Sequence, residues 1–342
     1  MPCSALGARL AVVEAFWAGA LAHRGVVDLW QLAEQVGGLD KLSIDGAAQL
    51  ERAGLCPERA RAWRNAEPLQ SRGDVITMAD AQYPSRLRGL QCAPPVLFVQ
   101  GDADCLEERT VAVVGTRNCT GYGEAVARNI AGSLARAGVV VISGLARGID
   151  AHAHRAACRN GRTLAVMASG LSFTAPSSNQ VLRRKIVETG GLVLTIWPDD
   201  VSPQPFLFPQ RNQWIAALSD HVVVVEAPQK SGALYTAEFA ADFGREVWAV
   251  PGPIGSSSST GCHRIIAQGA RVVVDVDQML QEMTGERLGF RSPWLQRVVC
   301  GESLERVAMD ENTTVFELLQ RLSRLEVQGR VVCLGGQRYA LA

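Results

Sequence analysis

The stretch VAVVGTRNCTGYGEAVARNIAGSLARAGVVVISGLARGID, residues Val111–Asp150, decides the fold. Val111–Val114 is a continuous apolar run rich in β-branched residues, which suits a strand buried on both faces. Gly115 ends it, and Thr120, Gly121 and Gly123 mark 116–123 as a loop. Glu124–Ala137 carries apolar residues at Ala127, Ile130, Leu134 and Ala135, a helical period. Gly138 stands where a helix C-cap belongs. Val139–Ile142 reads as a second buried strand, and Ser143 and Gly144 open a second tight loop that contains Gly148. A strand–helix–strand unit of this length is a parallel crossover. Both glycine loops therefore leave the carboxyl ends of parallel strands, the edge at which open α/β sheets bind ligands.

Backbone N–H groups at a glycine turn ahead of a helix form an anion site. Each loop also carries one arginine, Arg117 and Arg147, a side chain that pairs with phosphate bidentately. The spacing of Gly115, Gly121 and Gly123 is not the dinucleotide fingerprint, and no Gly-Lys-Ser/Thr follows to make a P-loop. Glycines that merely turn the chain are the competing reading. Two such loops in tandem, each with an arginine, favour an anionic ligand.

Composition narrows the classes. A chain of 342 residues allows two or three domains, and 47% hydrophobic content supports a sizeable core. Lysine plus arginine is 34 and aspartate plus glutamate is 34, so any nucleic-acid site has to be local rather than a property of the whole surface. The nine cysteines show no C-x-x-C pair and no recurring spacing. That argues against a zinc module or a disulfide framework and for a reducing, cytoplasmic setting. No cleavable leader pattern and no apolar run of membrane-spanning length stands out, so no membrane association is expected. His152 and His154, two apart on a helix, point to different faces and read as structural rather than as a metal pair. No metal and no cofactor is expected.

Residues 1–70 look helical, with apolar spacing over Leu6–Leu21 and Leu29–Val36 and glycine turns between short units. Such units resemble sterile-alpha-motif-like or helix-hairpin-helix modules; a packing or partner-docking domain is the alternative. Residues 71–285 alternate strands with helices. Strands are expected at Asp74–Met78, Thr163–Met167, Leu192–Ile196, Val222–Val225, Glu246–Val250 and Arg271–Val274, with an extra one near Val96–Val99. Helices are expected at Gln180–Glu188, Tyr235–Phe243 and Thr260–Gln268. A proline-rich loop, Pro198–Pro209, runs into Arg211-Asn212. This alternation means an α/β protein with a large doubly wound sheet. Residues 286–342 read as three helices and a hairpin, a winged-helix-like unit whose basic and acidic residues nearly balance. Duplex-DNA contact and protein docking both stay open for it.

The chain resembles the DNA-processing protein A family (DprA, also called Smf). The resemblance rests on VGTRNCTGYG (114–123), SGLARGIDAHAH (143–154), ASGL (168–171), FPQRN (208–212), VVVVEA (222–227), KSGALYTAEFA (230–240), GREVWAVPG (244–252) and STGCHRIIAQGA (259–270). It is dense over residues 74–280 and looser outside them. It implies an extended Rossmann-like fold, binding of single-stranded DNA, a homodimer, and loading of a RecA-type recombinase during natural transformation. By motif position the implied DNA site is Arg117, Gly144, Arg147, Gly170, Phe208, Arg211, Lys230, Ser231 and Gly232. Arg117, Arg147 and Lys230 would meet phosphates and Phe208 would offer its face to a base. For Arg211-Asn212 the alternative is tying the loop down, and for Phe208 it is core packing. Pairing of two copies is expected through the edge formed by Val247–Val250 and Thr260–Gln268, with Ile265 and Ile266 at the contact. Three positions depart from the family pattern: Ala175 before Pro176, Thr195-Ile196, and Gln213.

Two other classes compete. Nucleoside-monophosphate phosphoribohydrolases use a Pro-Gly-Gly-x-Gly-Thr-x-x-Glu loop on a related fold. The corresponding turn here, Ser231–Glu238, lacks the double glycine and has its glutamate one residue off. No nucleophile–base pairing stands out, so no enzymatic activity and no catalytic residue is expected. An interaction scaffold without DNA binding is the third reading, should the three departures have emptied the pocket.

Overall fold

The apolar runs become strands. The computed structural model describes residues 71–78, 80–90, 93–94, 96–284, 293–311, 313–327, 331–335 and 338–341. The helical unit expected at 1–70 lies outside them. The strands are β1 (Asp74–Thr77), β2 (Val96–Gly101), β3 (Thr110–Val114), β4 (Val140–Ser143), β5 (Thr163–Val166), β6 (Leu192–Thr195), β7 (His221–Val224), β8 (Glu246–Ala249) and β9 (Arg271–Val272). They form one sheet in the order β1-β2-β6-β5-β4-β3-β7-β8-β9. Every neighbouring pair from β6 across to β9 is parallel, while β2 is antiparallel to both β6 and β1. From β3 the chain steps outward through β4, β5 and β6. It then returns to lay β7 on the other side of β3, with Val111 opposite Val141 on one flank and His221 on the other. The gap between the departing loops of β3 and β7 is the topological switch point of a doubly wound sheet.

Helices cover both faces: α1 (Ser85–Arg88), α2 (Gly121–Arg136), α3 (Ile149–Asn160), α4 (Gln180–Glu188), α5 (Leu207–Ala217), α6 (Ala233–Asp242) and α7 (Thr260–Ala267). Period-two alternation sorts the strand side chains between them. Ala112, Val114, Val222 and Val224 pack with Trp214, Ile215 and Leu234 of α5 and α6. Ala165 and Val193 face the other way, onto Ala151 of α3 and Ile186 of α4. All five residues of β3 are buried, which is why a strand with no polar face was required there.

Helix α5 corrects one expectation. The proline spacing predicts a loop through Pro209, yet Leu207 already opens a helix. Pro209 is its third residue, where a backbone N–H has no acceptor within the helix, so the ring costs no hydrogen bond. Phe208 thus stands on a helix rather than at a loop end. Ile265 also differs from expectation: it is buried in this chain's own core. The exposed apolar residues at that edge are Val272 and Val274, on and beside β9.

The described residues divide into two compact units meeting at Val274/Asp275. The second holds α8 (Val276–Thr284), α9 (Pro293–Val299), α10 (Leu304–Asp310) and α11 (Val315–Val327), followed by the antiparallel pair β10 (Val331–Gly335) and β11 (Arg338–Leu341). The helix Val276–Thr284 falls with the second unit. Trp294, Leu295, Val298, Leu304, Val307, Leu318 and Leu322 form a core of their own with Val331.

Candidate functional site

A cleft of about 570 Å³ opens at the switch point. Its walls are the end of β3 from Val114 to Arg117, the α3 loop at Ala146 and Asp150, the first turns of α5, and the turn from Pro228 through Lys230 to Ala233. Four segments far apart in sequence meet here because β3 and β7 are neighbours whose loops leave the same sheet edge.

The second glycine loop is closed from within. Asp150 Oδ2 accepts the N–H groups of Gly144 at 3.1 Å and Ala146 at 3.3 Å. The Leu145 N–H, on a left-handed residue with φ 57°, donates to His154 Nε2 at 3.3 Å. His154 Nδ1 lies 2.8 Å from the Thr163 hydroxyl, which itself donates to the Val141 carbonyl at 2.6 Å. Thr163 therefore accepts from Nδ1–H, and Nε2 is left as the acceptor that Leu145 needs. Burial, reinforced by the Arg211 charge, lowers this imidazole to about 3, so it is neutral at physiological pH. Arg211 is itself buried and donates to the carbonyls of Gly144 and, at 2.7 Å, Val166. Burial lowers its guanidinium to about 10, against the opposing pull of Asp150. Burial likewise pushes the Asp150 carboxyl up, while Arg211 and the two N–H donors pull it down.

The first loop is also tied to the protein, by Glu226 at the end of β7. Its buried carboxylate accepts the Thr120 N–H at 2.9 Å and the Thr120 hydroxyl at 3.3 Å. Its carbonyl accepts the Thr116 N–H at 2.7 Å. Thr120 in turn caps α2 by accepting the Gly123 N–H at 3.1 Å. Gly123 has to be glycine, because a Cβ there would run into the Glu226 carboxylate. Part of the N–H groups of these loops is thus withheld from an external anion. Those of Thr116, Thr120, Gly123, Gly144, Leu145 and Ala146 are taken by Glu226, Thr120, Asp150 and His154.

Side chains supply the cleft's charge instead. Arg117 is exposed, and its guanidinium lies 4.8 Å from the centroid of the Phe208 ring. Arg211 sits 6.0 Å from the same ring. Two guanidiniums on one aromatic hold it by cation–π attraction. Phe208 is half-buried, packed on one side against Leu207, Trp197 and Ala168, so both readings of it hold in part. Lys230 is exposed at the lip. The turn behind it is fixed by Ser231 Oγ, which accepts the Ala233 N–H at 3.3 Å, and by Asn212, whose amide donates to the Gly232 carbonyl at 3.0 Å. Charged side chains lining the cleft are Arg117, Arg211 and Lys230 against Asp150 alone.

Of the nine residues read from sequence, Arg117, Phe208, Arg211, Lys230, Ser231 and Gly232 line this cleft together. Gly144 lies behind the Arg211 guanidinium, which leaves no space for a side chain there. Gly170 is buried against the Pro198 carbonyl. Arg147 is exposed but does not line the cleft. Sequence reasoning passed over Asp150, Glu226 and Tyr235. The first two are charged residues at strand or helix ends inside apolar segments, a signal that was available. Tyr235 is half-exposed on the third residue of α6, among the lining residues. At the departing positions, Thr195 donates to the Ser169 carbonyl at 2.8 Å, and Ile196 packs beside Trp197 and Leu207.

Residues 74–284 match the family described as DNA recombination-mediator protein A. The chain belongs to this family. Protein Smf of Escherichia coli K12 is 42% identical over 229 residues, which are 66% of this chain and 60% of Smf. Protein Smf of Synechocystis is 39% identical over 64% of this chain and 56% of its own length, so this chain spans less than two thirds of either relative. Among solved structures, DNA processing protein A of Streptococcus pneumoniae superposes with a TM-score of 0.64 at 30% identity, covering 82% of this chain and 95% of that one. DNA processing protein A from Helicobacter pylori, whose structure concerns its single-stranded DNA binding mode, gives a TM-score of 0.57 at 26% identity over 64% of this chain and 99% of its own. These family members share the extended Rossmann-like sheet on which the cleft is built. Among the described residues no helix is long and apolar enough to cross a membrane.

Proposed function

We propose that the switch-point cleft binds single-stranded DNA. The observation that carries this reading is the pairing of a half-buried aromatic ring that lines the cleft, Phe208, with two outward cations, Arg117 and Lys230. Base–aromatic stacking beside a basic track suits a single strand, whose bases are unstacked and whose backbone is charged. Membership of the DNA recombination-mediator protein A family and the Helicobacter pylori relative's single-stranded DNA binding mode support it. The test is a titration with single- and double-stranded oligonucleotides across salt. With one phosphate neutralised by each of the two outward cations, log affinity for a strand that fills the cleft falls against log salt with a slope of about −1.4. A flat salt response, or equal affinity for duplex, would refute the reading.

We further propose that the bound strand is passed to a RecA-type recombinase during DNA uptake, that the chain acts in the cytoplasm, and that it works as a homodimer. The exposed Val272 and Val274 at the β9 edge support self-association, since an isologous contact there would cover both. Sedimentation checks it: Val274→Glu is expected to shift a dimer to monomer. The role is binding rather than catalysis. Asp150 is held inside the loop, and Glu238, the residue nearest the phosphoribohydrolase glutamate, pairs with Arg264 at 3.2 Å and does not line the cleft. Recovery of ribose phosphate from a nucleoside monophosphate would favour the enzyme reading instead.

A further inference from the structure

A second basic groove lies between α2 and α3, away from the cleft walls. It encloses about 290 Å³ and is lined by Arg128, Arg136, Arg155 and Arg159 with Asn129 and Asn160. The helices come together there over two small residues, Gly132 and Ala156. In a chain of zero net charge, four arginines around one groove are a local concentration that needs a cause. Arg128 pairs with Glu124 one turn earlier. Arg136 donates to Ser133 Oγ at 2.8 Å and to the Asn160 amide oxygen at 3.3 Å. Arg136 and Arg159 stand in the last turns of their helices, where a cation also offsets the helix dipole. That account does not extend to Arg155, which is exposed in mid-helix.

We infer that this groove holds the phosphodiester backbone of the same single strand after it leaves the cleft. The inference rests on the cleft reading above. Both helices start at the sheet edge that carries the cleft, directly after the loops bearing Arg117 and Arg147. At about 1.5 Å of rise per residue, Arg155 lies roughly 9 Å along α3 and Arg128 roughly 10 Å along α2. Arg159 and Arg136 follow at roughly 15 and 22 Å. The cations therefore run in file away from the cleft mouth, with Arg147 at the head of the file. The lining offers guanidiniums and carboxamides and no exposed large apolar side chain. A protein partner needs such an anchor, and a polyphosphate backbone does not.

The test compares oligothymidines of about 5 and about 20 nucleotides, lengths chosen to fill the cleft alone or to overrun it. Wild type is expected to bind the longer one more tightly and with a steeper salt slope. In the Arg155→Gln/Arg159→Gln double variant, affinity for the short oligomer stays at the wild-type level. Affinity for the long one falls, and its slope shrinks by about 1.4, the single-strand value for two phosphates. Both sites are exposed, and an unchanged melting temperature verifies the fold. A folded double variant that keeps full affinity and slope for the long oligomer overturns the groove. So does the double variant losing retention of poly-glutamate alone, which would assign the groove to an acidic protein. If wild type binds short and long strands alike, the groove falls and the cleft stands. If it binds neither, both fall.

Discussion

The two glycine loops are near twins in sequence and opposites in the folded protein. Each follows a buried strand, precedes a helix and carries one arginine, and each has its backbone donors answered by a buried carboxylate, Glu226 in the first and Asp150 in the second. The first loop nevertheless sends Arg117 into the cleft, over an aromatic face. In the second, a buried Arg211 enters from α5 and locks the loop's carbonyl side, while Arg147 stays outside the cleft. On the proposed reading, one loop serves as a contact and the other as a frame. A glycine-rich turn is therefore not in itself an anion site, because the protein can fill it with its own carboxylate.

Removing the frame has the largest expected effect. Arg211→Ala leaves Asp150 buried without its cation and is expected to lower stability by about 3–5 kcal/mol, read by chemical denaturation. If stability holds while DNA affinity alone drops, Arg211 is a contact and the contrast between the loops fails. The same frame has a pH signature. His154 has a folded value near 3, below its unfolded value near 6.5, so the unfolded state takes up the proton first as pH falls. Its stabilising share is complete above about pH 6.5 and is lost towards pH 3, at up to about 1.4 kcal/mol per unit. Asp150, pushed up by burial, acts with the opposite sign. The His154 share is therefore read as the difference between wild type and His154→Gln, which should have the flatter acid limb. Identical limbs would mean that the imidazole is not held neutral.

Effects at Arg117 and at the ring it faces are smaller and are expected to fall on binding. Phe208→Ala is expected to weaken single-strand binding by about 1–3 kcal/mol with little change in salt slope. Its packing against Leu207 and Trp197 adds a lower melting temperature; a change in melting alone would place the ring wholly in the core. Arg117→Ala should reduce the salt slope by about 0.7 for every sequence, with stability unchanged. Arg147→Ala is expected to leave the affinity for a short oligomer, which fills only the cleft, where it was. If the two arginines behave alike on that oligomer, the loops are equivalent after all.

The strands were legible because β-branched, two-face-buried runs are short and bounded by glycine. Thr163–Val166, Leu192–Thr195 and Glu246–Ala249 fall within a residue of their sequence limits at each end. Helix α5 was not legible, since Pro209 reads as a breaker until it is known to sit in a first turn. The cleft's cations could be read from motif positions. Their division into outward Arg117 and inward Arg211 could not, because it depends on which helix packs over which loop. Likewise nothing local announces that Glu226 belongs to Thr120, 106 residues away.

The adjacency of β3 and β7 bears on how the cleft is assembled during folding. Thr110 donates its N–H to the Asp220 carboxylate, and these partners are 110 residues apart in the chain. Non-local parallel pairing is slow, because the entropy of closing so long a loop is lost before any contact compensates it. The half that ends at β6 can form first, but it then presents an unpaired β3 edge to solvent, a state open to wrong association. The binding site comes into being only when the later half docks on that edge. If the cleft binds DNA as proposed, DNA affinity is expected to be the last property to return during refolding, in step with the slowest structural phase.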